Sequence, residues 1–289
     1  MAGDSGFWAP MAGLMLALTL AGAPALAAPT TIPLQPFLDE DHLALSLDAP
    51  GGGKALFLLD TGGGITLVSP DFAARLGCTP WGQVTGFRMR GDRLDLPRCD
   101  GATLTVGGKP HRLPSALVID LGKFLPKEAP VVSGSLALDA FAGEAVTLDL
   151  AGRRLIVETP ASLKARIAHA IEAPLRISRE AGGLARVPLI GIPTPKGLLW
   201  MELDCGSDGQ VIMAPHAAEA LALDPKRRSG QTISALVAPG LTLQGKVQVE
   251  PLILDGNIGA PVLRHWVVTL DLAHERLWLA PAPAAPPHA

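Results

Sequence analysis

Leu58-Leu59-Asp60-Thr61-Gly62-Gly63-Gly64 combines an apolar run with the character of a strand entering a core, a carboxylate at its end, and a glycine turn too tight for side chains. A carboxylate at the mouth of a buried strand costs free energy unless a partner satisfies it or chemistry uses it. The chain makes this investment twice, the second time as Met201-Glu202-Leu203-Asp204-Cys205-Gly206-Ser207. Two carboxylates in matched settings point to one shared site.

The sequence around the two loops repeats in the same order. Before the first, His42 to Leu47 alternates as a half-buried strand, Asp48 to Gly53 turns, and Ala55 to Leu59 returns. After it, Ile65 to Val68 reads as a strand, and Ser69-Pro70-Asp71 starts a helix that Gly77 stops. Gly82 to Pro97 reads as a hairpin, either a mobile flap or an ordinary surface loop. Ala102 to Val106, Ser115 to Ile119, Ser133 to Ala137, Val146 to Leu150 and Arg153 to Val157 complete the first unit as strands.

The second unit replays this with Ala185 to Ile190, Leu198 to Leu203, Gln210 to Met213, a helix from Pro215, Leu241 to Gly245, Pro251 to Leu254, Asp255 to Gly259, and Val267 to Leu272 with Arg276 to Leu279. The expected organisation is a first lobe over 28–160, a linker helix over 161–180 with Leu163, Ile167 and Ile171 at helical spacing, and a second lobe over 181–280. A Pro/Ala tail over 281–289 has no apolar face and is expected to be disordered.

Phe57 to Gly62 followed by Ile65 to Val68 resembles the active-site loop of the pepsin and retropepsin superfamily of aspartic peptidases, most closely its bacterial two-lobe members. The resemblance covers most of residues 42–280. It implies a mainly β protein of two related β-barrel lobes, one short helix each, with a cleft between them. It also implies a monomer, since both lobes are in one chain, and an aspartic-type endopeptidase in which Asp60 and Asp204 share a proton and activate a water against a peptide bond. The dyad titrates as a unit, so neither aspartate alone is assigned as base. Thr61 would hydrogen-bond across the lobe interface, Gly62 and Gly206 would let backbone N–H groups approach the carboxylates, and Ser207 would bond the outer carboxylate oxygen.

The sequence also departs from the family pattern. Cys205 stands where a hydroxyl is expected, and a thiol is a poorer donor. Gly63 lacks the side chain that Ser207 supplies, Ala137 stands where the first lobe should carry a glycine, Asp208 adds an acid beside the second loop, and the chain has no Tyr for a flap. These departures leave a second expectation open, a catalytically impaired peptide-binding or scaffold protein that keeps the fold.

With 289 residues and 48% hydrophobic content the chain has ample material for two cores. Its net charge of -3 and scattered Lys and Arg argue against nucleic acid as a partner, leaving a peptide or protein substrate. The 32 glycines and 27 prolines favour short strands and turns. No Cys-x-x-Cys or His-x-x-x-His spacing occurs, so neither metal nor cofactor is expected. No Gly-x-Ser-x-Gly elbow supports a serine-hydrolase reading of the seven histidines.

Residues 1–27 read as an export signal, with an apolar Met11 to Leu20 and a small-x-small Ala25-Leu26-Ala27, although residues 1–10 hold Asp4 and no Lys or Arg. Cleavage would leave a periplasmic or secreted protein without a membrane span, and a retained anchor is the competing expectation. In that compartment Cys78 and Cys99 could form a disulfide or be two small buried apolar residues.

Overall fold

The computed structural model describes residues 28–283 together with Met1 and Gly3. The export signal, and the tail from residue 284, lie outside the described residues. The protein is mainly β and two-lobed, with three sheets.

The first lobe's sheet follows the order Trp81–Phe87, Arg93–Asp100, Ser115–Val118, Leu67–Val68, Gly134–Leu136, Lys54–Leu59, Asp39–Asp48, Thr103–Val106, Lys109–Arg112. The second lobe's sheet places Gly197–Asp204 beside Gly256–Gly259, then Val211–Met213, Leu241–Val249 and Gln231–Ala238. Each lobe thus lays its Asp-bearing strand parallel to a later crossing strand, Gly134–Leu136 or Gly256–Gly259. That crossing strand runs antiparallel to the short strand that follows the Asp loop.

The third sheet has six strands and draws on both halves. At its centre Ala145–Asp149 pairs antiparallel with Trp266–Asp271. Both carry the run Val-Thr-Leu-Asp-Leu, Val146 to Leu150 and Val268 to Leu272, and the register sets Thr147 opposite Thr269 with Val146 and Leu148 opposite Leu270 and Val268. Identical runs paired antiparallel about their own threonine create a local two-fold axis, with the two hydroxyl oxygens 3.0 Å apart. Thr147 also donates to the buried Glu158 at 2.7 Å.

Local signals behave as their chemistry requires. Ser69 accepts from Phe72 N at 3.1 Å and Pro70 occupies the first turn of the helix Pro70–Arg75, whose Phe72 packs edge-on against Phe57 with ring centroids 5.0 Å apart. Cys78 and Cys99 are bonded, tying the end of that helix to the hairpin Trp81–Asp100.

Three expectations need correction. The linker is helical only over Pro160–Ile167, because Ile171–Ala173 joins the six-stranded sheet against Leu277–Leu279, and Leu175–Ser178, after Pro174, pairs with Val187–Ile190. Pairing with an available strand edge outweighs the helical spacing at Ile171. Pro251 to Leu254 forms no strand; the strand parallel to Val211–Met213 is the end of Leu241–Val249, and Pro251 has no N–H to give a ladder. Pro281, expected to open the tail, ends the strand Arg276–Pro281 instead, and Ala282 N donates to His265 O at 2.8 Å. No helix among the described residues is long and apolar enough to cross a membrane.

The disulfide closes a loop over a separation of 21 residues. Denatured, unreduced protein should therefore present a single reactive thiol, Cys205, by mass spectrometry. Reduction should lower stability by about 3 kcal/mol in a urea titration, the size expected for a loop of this length.

Candidate functional site

The two Asp loops meet between the lobes. Asp60 stands at the end of Lys54–Leu59 and is anchored by its N–H to Leu136 O at 3.0 Å; Asp204 ends Gly197–Asp204. Glycine makes the approach possible. A Cβ on Gly62 would sit 2.4 Å from Asp204 Cγ, and one on Gly206 would sit 2.8 Å from Asp60 Cγ. Each loop therefore lays bare backbone against the opposite lobe's carboxyl group, and the two carboxyls lie close enough that each affects the other's titration.

The loops are clasped by one hydroxyl. Thr61, fully buried, donates from Oγ1 to Leu203 O at 2.6 Å and accepts from Cys205 N at 3.0 Å. The reciprocal contact is only Cys205 Sγ to Leu59 O at 3.5 Å. Burial pushes the Cys205 thiol up to about 12, so it stays protonated.

The supports of the two carboxyls differ. Asp60 Oδ1 accepts from Gly63 N at 2.7 Å. Asp204 Oδ1 accepts from Gly206 N at 2.8 Å, and its Oδ2 accepts from Asn257 Nδ2 at 2.8 Å rather than from Ser207. Ser207 contributes through its backbone instead, its N–H donating to Asp204 O at 3.3 Å. Asn257 Nδ2 also donates to Glu202 Oε2 at 3.1 Å, so one amide holds two carboxyl groups, while its own buried Oδ1 has no partner.

Glu202 and Asn257 were missing from the sequence reading. The signal was available in the strand period: Glu202 lies two residues before Asp204 and so on the same face, and the register sets it opposite Asn257.

Burial, followed by repulsion from Asp204, raises Asp60 to about 7, and burial raises Asp204 as well. Burial, then the Asp204 charge, raises Glu202 to about 8. A fourth acid, Asp139, lies beneath the first loop, raised by burial to about 6 and bonded by Thr66 N at 3.0 Å and Thr66 Oγ1 at 2.6 Å. Thr66 Oγ1 in turn accepts from Ala137 N at 3.1 Å, so this side-chain bridge braces the first loop where Ala137 stands in place of glycine. In the second lobe Gly259 is obligatory, since a Cβ there would lie 2.0 Å from Gly209 O. Asp208 lies toward Arg90, where its charge is felt.

The arrangement can hold shared protons between carboxyls and can present both donors and acceptors to a ligand. No group of three or more His, Cys, Asp or Glu among the described residues has a metal-holding arrangement.

No protein-family model matches the chain, and no curated protein does. Among solved structures it is similar to the basic 7S globulin from soybean, at 10% identity and a TM-score of 0.53 over 88% of this chain and 95% of that one. It is likewise similar to conglutin gamma, a basic 7S globulin from lupine seeds, at 10% identity and a TM-score of 0.53 over 89% and 95%. At this identity the likeness is one of fold. The expected membership of the aspartic peptidase superfamily and the expected endopeptidase activity are both corrected by these comparisons: the similar structures are seed globulins, and no peptidase family matches.

The raised carboxyls set the sign of the pH dependence. Their folded-state values lie above the unfolded ones, so the native state keeps protons that the unfolded chain has released, and stability falls as pH rises from about 4 to about 8. Thermal melts should show Tm declining across that window, and Glu202→Gln should flatten its upper part. Gly62→Ala should cost about 1–3 kcal/mol in denaturant titrations, because the added methyl meets the Asp204 carboxyl.

Proposed function

We propose that this protein binds extended peptides in the cleft between its lobes without turning them over. The observation that carries the reading is the close approach of the Asp60 and Asp204 carboxyls across the two glycine loops, with burial holding both above ordinary carboxylate values. Carboxyls that keep protons near neutral pH offer both O–H donors and oxygen acceptors to a peptide backbone. Trp81–Phe87 is the terminal strand of its sheet among the described residues, the position at which an extended segment adds by backbone pairing, with side-chain pockets setting specificity.

The second loop argues for binding over hydrolysis. Water activation needs both carboxyls held stiffly, and here one side of the clasp is a thiol contact at 3.5 Å. Asp204 moreover shares the Asn257 amide with Glu202, whose titration is coupled to its own by charge repulsion, so three acids compete to ionise instead of two. The Cys78–Cys99 bond supports placement in an oxidising compartment, in keeping with an exported protein.

The test is retention of a mixed library of unmodified extended peptides by the purified protein, followed over time by mass spectrometry. Bound peptides should be recovered intact. Asp60→Asn and Asp204→Asn should each weaken retention by about ten-fold, the effect of altering a charge-assisted hydrogen-bonding group. Recovery of cleaved products, or equal retention by both variants, would overturn the reading.

A further inference from the structure

The sheet of the second lobe leaves one seam open. Among the described residues its terminal strand Gln231–Ala238 is paired only with Leu241–Val249, and it lies beside Val187–Thr194 with no ladder between the two. Leu175–Ser178 covers Val187–Thr194 only as far as Ile190, and beyond that point Pro193 has no N–H to donate. A groove of about 560 Å³ occupies the seam, walled by Pro193, Pro195, Leu221, Leu223 and the unbroken run Thr232 to Leu236. Successive residues of a strand point to opposite faces, so lining by an unbroken run places the groove along the strand's edge. Leu236 is 60% exposed there.

The rim of the groove is basic, in a chain whose net charge is -3. Lys196 follows Pro195 in the turn at one wall, Lys226, Arg227 and Arg228 stand on the loop joining Leu223 to Thr232, and Lys246 pairs in register with Thr232. All are exposed, and among the described residues none makes an ion pair, whereas arginines elsewhere do, as Arg276 with Glu172. Glu219 and Asp224 are the acids nearest in sequence, and Asp224 Oδ1 already accepts from Lys226 N at 2.9 Å. The loop is held in place: Gln231 Nε2 donates to Asp224 O and Arg227 O, both at 2.9 Å, and Val249 N donates to Arg228 O at 2.9 Å. Charges that guard a sheet edge against aggregation sit on the edge strand itself. Gln231–Ala238 carries none, so its backbone edge is left open while the cations flank it.

We propose that this seam receives an extended acidic segment of a partner protein, which adds to Gln231–Ala238 as a strand, sets alternate apolar side chains into the groove and turns its carboxylates to the basic rim. Backbone pairing supplies the register, the prolines and leucines accept the apolar positions, and the cations select for acid. None of these residues belongs to the two Asp loops, so the seam is a second site, separate from the cleft.

The probe is a capped fluorescent peptide alternating Val and Glu, matched in length to the 8 residues of Gln231–Ala238, followed by anisotropy with the full-length protein. At about 50 mM salt it should bind about ten-fold more tightly than its Val/Lys counterpart, and about 0.5 M salt should erase most of that difference. Arg227→Glu with Arg228→Glu, or separately Lys246→Glu, should weaken binding of the Val/Glu peptide, the double variant by about ten-fold. N-methylation of alternate backbone amides should abolish binding in one of the two possible registers. The double variant should retain neutral peptides as the parent does, which separates this site from the cleft. Equal affinity for the Glu and Lys peptides, an unchanged affinity in the double variant, or full binding by both N-methylated forms would overturn the proposal. So would a dimer of the peptide-free protein that Leu236→Asp dissociates in sedimentation, or binding to phosphatidylserine vesicles that the double variant loses, since the seam would then serve another occupant.

Discussion

The Thr61 hydroxyl is the contact on which the site depends. It lies fully buried where the lobes meet and spends both its donor and its acceptor capacity on the opposite loop, Leu203 O on one side and Cys205 N on the other. A buried hydroxyl that makes both bonds has no alternative partner, so moving one lobe against the other exposes unpaired polar groups on each. The six-stranded sheet resists the same motion from further away, through the Thr147–Thr269 pairing at its local two-fold axis. The duplicated Val-Thr-Leu-Asp-Leu run faces itself about that axis, so the sheet ties the two halves together by matched residues.

Within that frame the symmetry stops at the loops. The second clasp is a thiol, the outer oxygen of Asp204 is served by an asparagine, and a glutamate is bonded to the same amide. Three carboxyls packed together with no Lys or Arg bonded to them cannot all ionise at a tolerable cost, because burial penalises each charge and each charge penalises the next. Retained protons relieve both penalties. The site is thereby kept closer to neutral than three free acids would be.

Much of this was legible in the sequence for definite reasons. The Ser69 cap, Pro70 and Gly77 fixed a helix locally, and the two Asp loops with their ordered repeats fixed two matched lobes without reference to tertiary contacts. The errors arose where a distant partner outweighs local preference. Ile171 lies at helical spacing yet joins a sheet because strand Arg276–Pro281 offers it an edge. The stretch Pro251 to Leu254 has strand-like composition, but Pro251 has no N–H to give and Ile253 N is taken by Met89 O of the hairpin tip. Glu202 and Asn257 went unnoticed because a register between strands 53 residues apart is not written in either strand alone. The family resemblance rested on the loop motif, whereas the comparisons supported the fold and not the activity.

The hairpin tip and the Thr61 clasp join the lobes by contacts of two kinds. The tip is held by the partly exposed Arg90–Glu250 ion pair and one backbone bond, Ile253 N to Met89 O, whereas the Thr61 hydroxyl is fully buried. Breaking the first returns charges to water that solvates them, while breaking the second leaves buried polar groups unpaired on both loops. The cost of separating the lobes is therefore concentrated where the two carboxyls meet, and the tip can yield while they stay in place.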